Sequence, residues 1–276
     1  MEIIEPNVEY WKQGNDEIAH VAKCARVCYA STKTTDNAKL VQNLLDKMHF
    51  SMLRHESCYY IVDILNDKYK AILRELNRYL KSPYIQFCIV DNIIYISTNR
   101  EFIYDNVNLE YYLHDCKVSE DYFFIDCPNK DLFRFTFCVI TQISTSRELN
   151  RVSPNNIAEQ STRYVNFGKK GGIKICKPYW YDSLTKFDKY LCRCYWHWSE
   201  RIYNAFLHRG LKAQDSREFL PLCTATKCVY TYTLKEWKHI IDLRYYGTTG
   251  VPHPNAKFIA GKIKEELVKL KMIENE

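Results

Sequence analysis

An α+β fold in one domain is what this 276-residue sequence predicts, and three observations predict it. Strand-like stretches such as "LFRFTFCVI" (132–140) and "QFCIVDNIIYIS" (86–97) are interspersed with helical ones, the longest ending in "CYWHWSERIYNAFLH". No internal repeat or low-complexity linker divides the chain. At 46% hydrophobic and 14% aromatic, it carries enough apolar side chain for a substantial core, which excludes disorder.

In chain order, "DEIAHVAKCARVCYAS" sets Ile18, Val21, Ala22, Ala25 and Cys28 near one helical face. "TTDNAKLVQNLLDKMHF" offers Thr35 or Asp36 as N-cap before Leu40, Val41, Leu44, Leu45 and Met48 at helical spacing. "ESCYYIVDIL" reads as a strand, "KAILRELNRYLKS" as a helix, and Asp91-Asn92 as the turn of a hairpin. Residues 101–130 mix aromatics and acids without a period. Phe133, Phe135, Phe137 and Val139 alternate, which predicts a half-buried strand. A long helix from about Asp182 to His208 should turn Leu184, Phe187, Leu191, Cys194, Trp198, Ile202 and Phe206 inward and stop at Gly210. A further helix leads to "EFLPL". "TLKEWKHIIDLRYY" is another, with Thr233 and Glu236 as a capping box, and "NAKFIAGKIKEELVKLKM" is a last amphipathic helix.

The net charge of +6 comes from 39 basic and 33 acidic residues that are interspersed, so there is no polybasic tail and no signature of a dedicated nucleic-acid binder. The opening residues lack a signal pattern and no apolar run reaches membrane-spanning length, which predicts an intracellular, cytoplasmic protein. Twelve cysteines lie scattered in apolar segments without a Cys-x-x-Cys, the pattern of buried reduced thiols.

One segment cannot build a core: "SRELNRVSPNNIAEQSTRYVNF", Ser146 to Phe167. Arg147 and Arg151 would share a helical face, the helix ending at Ser153 before Pro154. "NNIAEQS" then reads as irregular and "TRYVNF" as strand, which places Arg163 at a loop-to-strand junction. Guanidinium groups around one loop can bind phosphate, and Glu159, Gln160 and Ser161 can read the polar edge of a base. Composition alone favours a solvated loop whose arginines pair with Glu148 and Glu159. His49 and His55 are six apart, the wrong spacing for two metal ligands on one helical face, and Cys192, Cys194 and His197 fall on different faces, so no metal site is expected. "GKKGG" (168–172) lacks the spacing of a P-loop and reads as a turn.

The order of these pieces resembles the flavin-dependent thymidylate synthases, the ThyX family. "KCARVCYAS" is similar to that family's "AARVCY", "MHFSMLRHESCYYIV" to "GHESVLEHASFTF", and "IIYISTNREF" to "VSGNLRAW". Ser146–Phe167 resembles "SHELVRHRxxSxxQESTRYxNY" without a gap, "REFLPLCTATKCVYTYTLKEWKHIIDLR" resembles "ARxxLPxxxxTxxxxTxNLREWRHFxxLR", and "PHPN" is similar to "HPxM". The resemblance implies a ThyX-like fold, a central mostly antiparallel sheet flanked by long helices. It also implies reductive C5-methylation of dUMP to dTMP, with FAD as cofactor and NADPH and 5,10-methylenetetrahydrofolate as cosubstrates. Sites shared within a homotetramer are implied as well.

Residue by residue, the resemblance assigns Glu148, Glu159, Ser161, Arg163, Arg217 and Arg244 to the nucleotide, the two last arginines coming from another subunit, with Ser161 and Arg244 nearest the chemistry. It assigns His49, Ser51, Arg151, Ser153, Thr233, Lys235, His239 and His253 to the cofactor side. Departures cluster there. Val152 and Ser153 replace the second and third residues of an Arg-His-Arg signature, Arg54 replaces a glutamate, Phe50 a glycine, and Thr233 and Lys235 replace Asn and Arg. These changes leave open a related C5-methylase or hydroxymethylase acting on UMP or dUMP, or a nucleotide-binding homologue without catalysis.

Overall fold

The computed structural model describes residues 1–31, 36–152 and 156–274. The architecture is α+β, but two four-stranded antiparallel sheets stand where one central sheet is expected. The first has the order β2 (Asn7–Tyr10), β7 (Arg134–Gln142), β10 (Ala225–Thr233), β8 (Ile157–Glu159). The second has the order β4 (Ile85–Val90), β5 (Ile93–Asn99), β3 (Ser57–Asp63), β6 (Lys117–Val118). A parallel pair, β1 (Glu2–Ile4) with β9 (Lys174–Cys176), completes the set.

β7 is buried on both faces, not one. Phe133, Phe135, Phe137 and Val139 face the largest core beneath α10 (Leu234–Ile241) and α11 (Pro254–Lys269), where Trp237 Nε1 donates to the Phe135 carbonyl at 3.0 Å. Cys138 on the other face packs under α1 (Glu17–Cys28) with Trp11, Cys24 and Val27. Alternation alone cannot show that a helix will cover the second face.

Several local expectations hold. Asp91 and Asn92 take φ of 49° and 65° between β4 and β5, the pair of positive values a tight type I′ hairpin requires. Thr233 and Glu236 form both halves of the capping box at α10. α3 (Tyr69–Asn77) and α11 form as helices, and residues 100–126 resolve into α4 (Arg100–Asp105), α5 (Val107–Leu113) and α6 (Glu120–Asp126). Asp36 caps α2 (Asn37–Asp46), and Thr35 lies outside the described residues. Of the apolar residues expected inward from that helix only Leu44 is buried, and Met48 lies beyond its end, exposed. In α1, Ile18 faces out while His20, Cys24 and Val27 face in.

The long helix, α8 (Lys186–His208), shows the largest departure. Its core stripe is Trp196, Ser199 and Tyr203, while Phe187 (67% exposed), Leu191 and Trp198 (62%) point away from the chain's own core. The helix carries two apolar stripes, and tertiary packing selects the narrower one. Among the described residues no helix is long and apolar enough to cross a membrane, and all twelve cysteines are free.

Glu120, in the first turn of α6, is 5% exposed and accepts the Gly14 N–H at 3.4 Å. Burial, with a smaller push from Asp121, raises its pKa to about 7. A raised folded-state pKa stabilises below the unfolded value near 4.5 and loses that contribution as pH climbs through 7. Glu120→Gln is therefore expected to exceed the parent in stability by about 1–3 kcal/mol at pH 8. The two should converge towards pH 4.5; denaturant unfolding at both pH values checks this, and equal midpoints at pH 8 refute it.

Candidate active site

The polar segment is held by backbone pairing. α7 (Ile143–Leu149) leaves β7 and ends earlier than expected, with Asn150 as C-cap. Arg151 therefore sits in the following turn and shares no helical face with Arg147. The Asn150 side chain accepts from Tyr230 Oη at 2.9 Å and donates to Glu159 at 3.3 Å. Ser153, assigned to the cofactor side, lies outside the described residues.

Residues 157–159 are not irregular: they form β8 against β10. The backbone then continues fixed on two sides, Gln160 N–H to the Lys227 carbonyl at 2.8 Å and Ser161 N–H to the Cys28 carbonyl at 2.9 Å. Thr162 to Tyr164 make a turn instead of a strand. Ser161 Oγ accepts the Arg163 N–H at 3.2 Å, which leaves its own hydroxyl proton free to donate outward. Arg163 is exposed, its guanidinium lying over the Tyr164 ring.

Glu159 organises this turn. Its carboxylate accepts from Ser146 Oγ (2.9 Å), Thr226 Oγ1 (3.0 Å) and Asn150 Nδ2 (3.3 Å), joining α7, β8 and β10. Those contacts use much of its acceptor capacity. Among the described residues no arginine pairs with Glu148 or Glu159, so the ion pairs of a merely solvated loop are not formed.

Both distant arginines reach this region within one chain. Arg217 Nη1 donates to Thr162 Oγ1 at 3.4 Å, beside Ser161 and Arg163. Arg244 sits in a π-helical turn, Asp242–Tyr246, and its Nη2 donates to the Glu148 carbonyl at 3.0 Å, towards the C-terminal end of α7. Its Nε is buried without a partner among the described residues. The expected nucleotide residues thus form two linked groups, Ser161–Arg163 with Arg217 and Glu148 with Arg244, joined through α7 and Glu159.

The residues assigned to the cofactor side divide. Thr233, Lys235 and His239 line one open cavity of about 590 Å³ together with Val152, Leu132 and Phe87, within the range of ligand pockets, roughly 300–1,000 Å³. Lys235 and His239, four apart on α10, are exposed, whereas the Thr233 hydroxyl is buried and engaged with Glu236. His49 and Ser51 are exposed around the short 3₁₀ helix Phe50–His55. His253 caps α11, accepting the Asn255 N–H at 3.3 Å, and borders a different cavity with Trp180 and Tyr195. Within one chain these groups do not converge. Sequence reasoning missed Ser146, Asn150 and Thr226; the spacing of Ser146 and Asn150, four apart, is the signal that could have shown the first two facing Glu159 together.

The family model described as thymidylate synthase complementing protein matches residues 131–269, from just before β7 through α11. No curated protein matches the chain. Among solved structures, the chain is similar to a UMP/dUMP methylase, PolB, from Streptomyces cacaoi bound with 5-Br dUMP. The TM-score is 0.47 at 16% identity, covering 98% of this chain and 93% of that one. PolB bound with 5-Br UMP gives a TM-score of 0.45 at 16% identity, covering 98% and 92%.

Proposed function

Because the chain belongs to the thymidylate synthase complementing protein family, the flavin-dependent thymidylate synthases, we propose that it is a methyltransferase that reductively methylates dUMP at C5 to give dTMP. Methylenetetrahydrofolate is the one-carbon donor and NADPH the reductant. The observation that carries this reading is the placement of Arg217 against Thr162, which adds a second guanidinium to the Ser161–Arg163 turn inside the matched segment.

Two arginines and a hydroxyl donor around one exposed turn suit a nucleotide monophosphate. Arg163 and Arg217 neutralise the phosphate and Ser161 donates to it or to a base carbonyl. Arg244, whose buried Nε is unpartnered among the described residues, would hold the enolate oxygen of a pyrimidine activated to react through C5. Glu148 lies beside Arg244, and Glu159 acts by fixing the turn.

The residues of the larger cavity fit FAD. Lys235 and His239 present exposed cationic or donor groups suited to a pyrophosphate, and Val152, Leu132 and Phe87 present apolar surface suited to a ring. Arg151, His49, Ser51 and His253 join them from the partner subunits of a homotetramer, and Thr233 contributes through the cap that orients α10. Bound flavin would supply the hydride, and the folate the one-carbon unit.

The tetramer is supported by α8, whose Phe187, Tyr190, Leu191, Trp198 and Ile202 leave a stripe of aromatic and aliphatic surface uncovered by the chain itself. Light scattering is expected to give four times the chain mass, and Trp198→Glu to lower it; an unchanged monomer mass in the parent refutes the assembly. A cytoplasmic setting is supported by the free thiols.

The test is product mass from purified protein incubated with dUMP or UMP, methylenetetrahydrofolate and NADPH, together with the absorption spectrum of the protein. dTMP with a flavin spectrum supports the proposal. A methylated UMP or a hydroxymethylated product supports the related-enzyme reading, which the aliphatic Val152 at a signature histidine position favours. Nucleotide binding without flavin or turnover replaces both.

A further inference from the structure

A second cationic site lies on the N-terminal side of the nucleotide turn. A cavity of about 340 Å³ is bordered by Trp11, Lys23, Arg26, Gln160 and Lys227, with no carboxylate in its lining among the described residues. Lys23 Nζ stands 3.8 Å from the centre of the Trp11 ring and Lys227 Nζ 5.3 Å from the same centre. Two ammonium groups therefore share one indole, and neither makes an ion pair among the described residues. Like charges gathered on one ring repel unless an anion joins them.

The positive field reaches inward. After burial itself, Lys23 is the charge that holds His20 down, to about 4, and both lysines oppose the burial that raises the Cys138 thiol. Trp11 is 5% exposed, and its indole N–H has no acceptor among the described residues. Gln160 ties this cavity to the turn already described: it lies between Glu159 and Ser161, and its N–H donates to the Lys227 carbonyl.

We propose that this cavity binds a compact anion bearing two or more negative charges, held by Lys23, Arg26 and Lys227, with Trp11 as the floor. Its size suits a diphosphate group or a pair of carboxylates. The phosphate chain of a nucleotide and the glutamate tail of a folate both supply that chemistry. The inference stands on geometry and charge and does not depend on the enzymatic reading.

Isothermal titration of the full chain with inorganic pyrophosphate and, separately, with tri-glutamate tests it. The titrations are run on the parent and on the Lys23→Gln/Lys227→Gln double variant, at low and high salt. Binding of either probe that weakens at least about 10-fold in the double variant and falls with salt supports the site, and the tighter probe names the source. Lys23 is exposed and Lys227 only partly buried, so the variant should keep the parent's circular dichroism and melting curve. Failure of both probes to bind the parent, or binding unaltered in the variant, overturns the proposal whether or not the protein turns over dUMP.

Discussion

Arg217→Ala is expected to raise KM for dUMP by about 30- to 150-fold, the loss of roughly 2–3 kcal/mol from a charge-assisted contact to phosphate. The melting temperature should stay within about a degree. Arg217 is partly exposed, its contact with Thr162 is long at 3.4 Å, and its neighbouring carboxylate, Glu218, is exposed at 3.6 Å. Pairs of that kind contribute little to stability, so the cost falls on the ligand. Arg217→Lys restores charge without the paired donor geometry and should recover only part of the loss. Steady-state kinetics in dUMP, with the flavin spectrum as control, checks this; an unchanged KM would remove Arg217 from the nucleotide site.

Glu159→Gln has the other large effect, and it strikes fold and site together. Three donors, from Ser146, Thr226 and Asn150, converge on the carboxylate. Ser146 and Thr226 share one carboxylate oxygen and Asn150 takes the other, so a carboxamide that keeps its oxygen on the hydroxyls sets its N–H₂ against the Asn150 N–H₂, donor to donor. The expected cost is about 2–4 kcal/mol, read as a fall of roughly 5–10 °C in Tm. Turnover of dUMP should fall about 100-fold as the Ser161–Arg163 turn loosens. This signature differs from that of Arg217→Ala, which spares Tm. Loss of turnover with an unaltered melting curve would mean that Glu159 meets the substrate directly and holds nothing.

Wherever a few neighbouring residues decide the geometry, the fold was legible. The Asp91-Asn92 hairpin and the Thr233–Glu236 cap depend on backbone conformations and hydrogen bonds within four residues. The helices α1, α3, α10 and α11 depend on periodicity. The strand β8 was not legible: three residues, Ile157–Glu159, carry too little pattern, and their extended conformation is fixed by pairing with β10, some seventy residues away. The early end of α7 was likewise hidden, and so were the partners that the side chain of its C-cap, Asn150, finds on β8 and β10.

The candidate site divides along the same line. Four of the residues proposed for the nucleotide lie, with Arg151, in one contiguous motif, and the structure adds that Arg217 meets that motif within a single chain. What Glu159 holds, and the separation of His49 and His253 from Lys235 and His239, could not be read from order along the chain.

The sequence by itself determined the α+β class, the family membership carried by residues 131–269, and the identity of the arginines and hydroxyls available to an anion. Only the tertiary structure decided which stripe of α8 enters the core and that β7 is covered on both faces. It alone set Lys23 and Lys227 over one tryptophan. The physical reason is common to all three: local propensity and periodicity act over a single turn or strand. The face that is buried, and the charges that meet, follow from which distant element packs there.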